Sequence, residues 1–263
     1  MEIMLTTALF IFGAIFGSFA CCQAHRLHGR KAKLFKQPPS HCPKCQKRLE
    51  PIELVPVFSW IIQKGRCKKC HEPIGWAEIL AEIGLGSTFA LSYLFFPFAL
   101  VTPLEIARFI VFLVALIPLA ILFIYDLKWG LVLTKPILFG VIFAIAFWAL
   151  SSGSPLNGAK ILSLFGSIGI LSGVYYLLYF FSKEKLVGAG DYLLALPLAI
   201  MLGDAWLAFF ALFAANLLGC LVTLPLLACK KLKTRRIPFG PFLIAGFLIV
   251  FLAQNWLLSL IIF

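Results

Sequence analysis

The chain has 263 residues, 62% hydrophobic and 13% charged, with a net charge of +12. Its mean hydropathy of +1.00 excludes a soluble globular domain and points to a membrane protein crossed several times. A bilayer admits helices or closed barrels, and no period-two alternation suggests a barrel, so the expected fold class is all-α and polytopic.

The first apolar run covers residues 3–24. It lacks a basic leading region and is long enough to span, so it reads as a membrane helix rather than a cleavable signal. Gly13 and Gly17 within it have the small-xxx-small spacing that permits close helix approach, a spacing frequent by chance in apolar helices. Further runs follow at 78–98, 106–125, 136–151, 160–181, 191–203, 205–228 and 239–262, giving about eight candidate transmembrane helices. Twelve Lys and Arg follow the first run, two the third, two the fifth and five the seventh. This puts 21 of 23 on one side, with only Arg108 and Lys160 on the other. The positive-inside rule then places that side in the cytoplasm and both termini outside. Most of the positive charge is therefore topology and contact with anionic lipid, and nucleic acid is not an expected partner.

Residues 25–77 form the only sizeable soluble loop. Cys42-x-x-Cys45 and Cys67-x-x-Cys70 offer four thiolates, a tetrahedral zinc set. A cytoplasmic loop disfavours disulfides, and about 50 residues have too little core to fold well without help such as a metal. A redox-active pair of C-x-x-C motifs has no βαβ context here. His41 and His71 flank the cysteines and read as loop surface, with substitution of one for a Cys left open. Cys21, Cys22, Cys220 and Cys229 lie in or at the ends of spans and read as small hydrophobes. The expected organisation is a first transmembrane helix at 1–24, a zinc-binding domain at 25–77 and a membrane domain at 78–263.

Three Asp occur. Asp204 falls between spans six and seven and reads as a loop residue or N-cap. Asp126 ends span three and Asp191 begins span six, so both are expected at one depth, the cytoplasmic edge. An ionisable residue at such a position marks a functional site. Two carboxylates sharing a half-buried site cannot both ionise cheaply, and such a pair can share a proton and do acid–base work on a peptide bond. The bland alternatives are a solvated Asp126 paired with Lys128, and Asp191 capping a Gly-rich turn. Gly188 and Gly190 leave the backbone beside Asp191 free to take φ > 0 or to admit another chain closely. Glu78 and Glu82, near the start of span two, read either as partners of basic loop residues or, for Glu82, as a receiver of a cationic group on a substrate or cofactor. All four His lie in the first loop or at its edges, so no Ser–His nucleophile is available.

Tyr125-Asp126 together with Gly188-Ala189-Gly190-Asp191 resembles the membrane-embedded GxGD aspartic proteases. Gly17-Ser18-Phe19 with Arg26-Leu27, then Ser40-His41-Cys42-Pro43-x-Cys45, Glu53-Leu54-Val55-Pro56-Val57-Phe58-Ser59-Trp60, Gly65-Arg66-Cys67-x-x-Cys70 and Pro73-Ile74, narrow the resemblance to the prepilin peptidases, or type IV leader peptidases. It covers nearly the whole chain. It implies a bacterial cytoplasmic-membrane enzyme whose Asp126 and Asp191 cut leaders from type IV prepilins and pseudopilins at the cytoplasmic face. It implies zinc on Cys42, Cys45, Cys67 and Cys70 and, in many members, methylation of the new N-terminus with S-adenosylmethionine. Glu82 falls where the family has a Glu. The chain departs from the pattern at Ala20 and Cys21, where the family has Asn. It departs again at Val132-Leu133-Thr134, in place of Ile-Pro-Asp/Asn, and at Tyr192-Leu193-Leu194, where a Lys often stands.

Three rival readings compete. A presenilin-type protease lacks an explanation for the cysteine loop. A proton- or cation-coupled transporter would use the same intramembrane acids. A zinc-stabilised scaffold would need neither Asp. A basic leader would be repelled by the basic first loop, so acids such as Glu82 or Glu184 are expected to aid docking.

Overall fold

Helices make up every regular element among the described residues, and no strand forms there. A computed structural model describes residues 2–29, 40–42, 44–151, 157–184, 187–228 and 238–261. Pro43, Cys229, Arg30, Lys31, Lys33, Lys36, Lys185, Lys230, Lys231, Lys233, Arg235 and Arg236 lie outside the described residues. The chain divides into two compact units, Met1–Leu94 and Phe95–Phe263.

In the first unit, α1 (Glu2–His28) and α3 (Trp76–Leu94) pack side by side. A short α2 (Phe58–Ile62) and the cysteine loop lie between them in sequence. The Gly13/Gly17 spacing is used at that contact. A Cβ at Gly13 would lie 2.7 Å from the Leu85 carbonyl oxygen, and one at Gly17 would collide with the Ala81 carbonyl oxygen. Gly86 on α3 answers from the other side, where a Cβ would lie 2.9 Å from the Phe10 carbonyl oxygen. Only helices without side chains at these points can approach so closely.

The second unit holds α4 (Pro103–Trp129), α5 (Thr134–Ser151), α6 (Gly158–Ile168), α7 (Val174–Ser182), α8 (Ala189–Leu202), α9 (Ala205–Ala228), α10 (Gly240–Leu252) and α11 (Gln254–Ile261). A π-helical turn, Gly169–Gly173, joins α6 to α7 without a break. The start of α4 is capped by Thr102, whose hydroxyl accepts from the Glu105 N–H at 3.3 Å while Glu105 reaches back to the Thr102 N–H at 2.8 Å. Gly130, at φ +61°, ends it.

Five helices among the described residues are long and apolar enough to cross a membrane: α1, α4, α5, the continuous Gly158–Ser182 segment and α9. The second expected span, α3, carries Glu78 and Glu82 and is not apolar enough to count among them, and the sixth and eighth expected spans are shorter. The 14 residues of α8 reach about 21 Å at 1.5 Å each, short of a hydrocarbon core of about 30 Å. Its burial explains this. Leu194, Ala195 and the run Pro197–Leu202 are all buried, because α5, α6, α7, α9 and α10 touch it around its circumference. It is a core helix, whereas α9 presents Trp206, Phe213, Leu221 and Leu224 outward, each more than half exposed. Ser167 and Ser172 tie α8 to its neighbours by donating to the carbonyls of Ala199 and Tyr192 at 2.7 and 2.8 Å. The eighth span breaks at Ala253, and Phe251 from its first half stacks on Phe112 of α4 at 4.5 Å.

Gly17→Ala is expected to lower the thermal midpoint of the detergent-solubilised protein, by an overpacking cost of about 1–3 kcal/mol. Gly84→Ala, where a new Cβ meets nothing within 4 Å, is the control and should leave the midpoint unchanged. Equal midpoints for the two variants would contradict the glycine contact.

Candidate active site

Asp126 lies in the last turn of α4, and its side chain is buried at 4% exposure. Its Oδ2 accepts a 2.8 Å hydrogen bond from the N–H of Gly240, the first residue of α10. The N-terminal turn of a helix leaves N–H groups without intrahelical partners and carries partial positive charge, so it is a natural seat for a carboxylate. This partner, and not Lys128, holds the carboxylate. Asp191 occupies the third position of α8, where its Oδ2 accepts from the Gly188 N–H at 3.1 Å. The capping role expected of Asp191 as a bland alternative is therefore present, alongside whatever chemistry it performs. Among the described residues, Oδ1 of neither Asp has a hydrogen-bond partner.

Three close backbone approaches bring the two acids together. A Cβ at Gly240 would lie 2.7 Å from Asp126 Oδ2 and 3.0 Å from Leu194 Cδ2, one turn along α8 from Asp191. A Cβ at Gly190 would lie 2.6 Å from Val132 Cβ, in the link that follows α4. Gly130, at φ +61°, turns the chain into that link. Of the two roles expected for the Gly188 and Gly190 pair, close approach is realised at Gly190. Neither takes positive φ, and Gly188 is an ordinary extended N-cap at φ −80°. Asp204 stands apart from both acids in role. It caps α9 by accepting from the N–H groups of Trp206 and Leu207 at 2.8 and 3.1 Å.

In the first unit, the Sγ atoms of Cys42, Cys45, Cys67 and Cys70 all lie within 4.8 Å of one another. Each pair sits in the same turn. The Cys42 N–H donates to the Lys47 carbonyl, and the Gln46 N–H returns to Cys42. The Cys67 N–H donates to the Glu72 carbonyl, and the His71 N–H returns to Cys67. Gln46 and His71 both take φ +57°, the left-handed step that closes each turn. Isolated bridges, His41 to Arg48 and Arg66 to Pro73, brace the two knuckles, and a Lys44–Glu72 ion pair joins them. The backbone N–H groups of Cys70 and Lys69 pull the Cys67 thiol down to about 6, toward the thiolate a metal needs. His41 and His71 are exposed and stand outside the sulfur cluster.

Glu82 is buried, and its Oε2 accepts from the Val57 N–H at 2.7 Å, with the Ser18 hydroxyl as a second partner. Among the described residues it meets no basic loop residue. It fixes the turn before α2, where Val57 takes φ +63°, a strained conformation for a β-branched residue. Glu78 instead faces His25 at 3.7 Å.

Residues 11–96 match the Bacterial Peptidase A24 N-terminal domain. A prepilin leader peptidase/N-methyltransferase of Bacillus subtilis is 29% identical over 257 residues, covering 97% of each chain. One of Dichelobacter nodosus is 33% identical over 216 residues, covering 80% of this chain and 70% of that one. The chain belongs to this family. A type 4 prepilin-like proteins leader peptide-processing enzyme of Escherichia coli is 30% identical over 212 residues, 80% of this chain and 73% of that one. No solved structure matches.

Two departures from the family pattern can now be located. Val132 packs against Gly190, so the altered link still sets the spacing between α4 and α8. Tyr192 packs its ring on Tyr176 and Tyr179 at 5.4 and 5.3 Å. Sequence reasoning passed over Gly240 and Val57. Gly240 carries a local signal, since Pro238 and Pro241 flank it between apolar runs and mark a helix start. For Val57 no local signal exists.

Chelation of the metal, or Cys42→Ser, is expected to open residues 40–75 to limited proteolysis while leaving the second unit resistant. Glu53 adds a pH dependence. Its buried carboxylate accepts from the Glu50 N–H and the Lys47 ammonium, and these hold it below the usual carboxylate range. The folded loop thus binds this proton less tightly than the unfolded chain. The stabilisation is full at neutral pH and is lost as pH falls through the lowered value. Protease resistance of residues 40–75 should fall in acid, and Glu53→Gln should flatten that dependence.

Proposed function

We propose that the chain is a membrane aspartic endopeptidase that removes the leader from type IV prepilins or pseudopilins at the cytoplasmic face of a bacterial inner membrane. The observation that carries this reading is Asp126 held by the α10 N-terminus, which also meets Leu194, one turn along α8 from Asp191, joined to membership of the prepilin leader peptidase family. Each carboxylate is anchored through Oδ2 to one backbone N–H, and its Oδ1 is left to meet water and substrate. The ionised Asp takes a proton from the attacking water as the water oxygen bonds to the scissile carbonyl carbon. The protonated Asp donates to the carbonyl oxygen. As the C–N bond breaks, a proton passes to the leaving amine.

The orientation follows from the Lys and Arg count, with the acids and the cysteine loop on the cytoplasmic side. The domain division is a first helix at 1–24, a zinc-binding domain at 25–77 and a protease domain at 78–263. Gly188 and Gly190 support the site by seating the α8 N-terminus, and Glu82 is a supporting residue of the first unit, where it fixes the turn before α2.

Zinc is the metal that fits Cys42, Cys45, Cys67 and Cys70. Zn–S bonds of about 2.3 Å in a tetrahedron set sulfurs about 3.8 Å apart, and the Cys42–Cys70 and Cys45–Cys67 pairs stand at 3.7 and 3.9 Å. Four thiolates close the coordination sphere, so this zinc holds the loop's fold and takes no part in hydrolysis. The relatives' names include an N-methyltransferase activity, and the family resemblance implies that the new N-terminus is the acceptor and S-adenosylmethionine the methyl donor and co-substrate. The transporter alternative has no support among the relatives.

The test is cleavage of a co-expressed prepilin by wild type, Asp126→Asn and Asp191→Asn at matched membrane levels. Each single change is expected to lower cleavage by at least about 10³-fold, the scale for losing an essential acid–base group. Gly240→Ala, which pushes a methyl group against Asp126 Oδ2, should also reduce cleavage sharply. Near-wild-type processing by either Asn variant would overturn the dyad.

A further inference from the structure

The first unit encloses a cavity of about 560 Å³, lined in part by Ser18, Cys21, His25, Trp60, Glu78 and Glu82. Three of these residues form a second cluster of metal-ligating groups that shares no member with the four-cysteine set. Cys21 and His25 stand four residues apart on α1, one turn along the same face. Glu78 comes from the first turn of α3, and the close α1–α3 contact at Gly17 and Ala81 brings it opposite them. The Cys21 sulfur, a His25 ring nitrogen and a Glu78 carboxylate oxygen all lie within 4.8 Å of one another. His25 Nε2 is 3.7 Å from Glu78 Oε1, and Cys21 is only 3% exposed. The chain also leaves room for the carboxylate, since a Cβ at Gly75 would lie 2.7 Å from Glu78 Oε2.

Core packing does not ask for this set. A small hydrophobe at position 21 needs neither an imidazole nor a carboxylate beside it, and a surface ion pair needs no buried thiol. One sulfur, one nitrogen and one oxygen donor from two rigid helices make a protein ligand set of the open kind, in which a fourth position is kept for water or substrate. Borderline donors of this mix suit zinc over the hard cations.

We propose that Cys21, His25 and Glu78 bind a second zinc ion, with its open coordination position facing the cavity. The four-cysteine zinc is closed and structural. The second ion is open and can accept a neutral nitrogen or anionic oxygen of a small molecule or peptide end that enters. The proposal rests on the donor geometry alone and stands whether or not the dyad cleaves prepilins.

The test uses the full chain in detergent, equilibrated with buffered zinc, desalted and assayed for metal by mass spectrometry. Wild type is expected to hold about two zinc per chain, and Cys21→Ala, His25→Ala and Glu78→Gln about one each. The zinc that remains in those variants reports that the cysteine loop is still folded. Cobalt titration of the wild type gives a measurement independent of any variant. The first equivalent should produce intense thiolate charge-transfer absorption. The second should add a weaker band, expected from a single sulfur ligand. Wild type that saturates at one metal, by either method, overturns the proposal. So does a second metal that persists in both Cys21→Ala and Glu78→Gln.

Discussion

The second unit is arranged around one buried carboxylate that must be matched inside apolar surroundings. Asp126 sits within α4 where no water-facing partner is at hand, and the start of α10 supplies the N–H that receives it. That bond has a steric condition. Residue 240 can have no side chain, because a Cβ there would meet both the carboxylate and Leu194 of α8. One hydrogen bond and one missing methyl therefore bind three helices into register. The second close approach, Gly190 on Val132, prevents α8 from sliding away from the end of α4. Burial of α8 by five other helices makes the arrangement rigid. The hydrolytic pair proposed above would need that rigidity, since acid–base groups act only when held within hydrogen-bond reach of the reacting atoms.

The first unit meets a different constraint. Its cysteine loop buries few apolar side chains, and among the described residues of 40–75 only Cys42, Glu53, Gly65 and Cys67 are buried. Two matching knuckles, each closed by a residue in the left-handed region, bring four sulfurs to tetrahedral spacing. The cluster could hold a metal ion, which would replace the core that so short a segment cannot build. Glu53 and Glu82 do a related job with carboxylates. Each is buried and each receives a backbone N–H, the first from Glu50 and the second from Val57. In the second case the bond holds a β-branched residue at positive φ, so the turn into α2 depends on a residue 25 positions further along.

Features that are local in sequence were legible. The apolar runs became helices within a few residues, because hydropathy and capping act over a turn or two. The C-x-x-C pairs became a cluster because their spacing is the knuckle itself. Counting spans and charges gave the expectation that Asp126 and Asp191 share a level, and the packing of α4, α8 and α10 is what the fold adds to it. Features that depend on distant partners were not legible. Nothing in the pattern of α8 separates a buried core helix from a lipid-facing one, since both are apolar all round. The receiver of Asp126 lies 114 residues away. Glu82 looked like a seat for a cation and turned out to accept from Val57 and Ser18. Cys21 looked like packing, and only the fold sets it beside His25 and Glu78.

The most direct test of the central claim is whether positions 126 and 191 touch in the membrane. Cys would be placed at both by Asp126→Cys and Asp191→Cys, with Cys220 and Cys229 replaced by Ser and a protease site inserted between residues 152 and 156. After mild oxidation or treatment with a short bifunctional thiol reagent, the chain would be cut and run without reductant. The account predicts that the two fragments stay joined in the double variant and separate in each single-Cys control. Fragments that separate in the double variant, although both thiols react readily with a small maleimide, would contradict it.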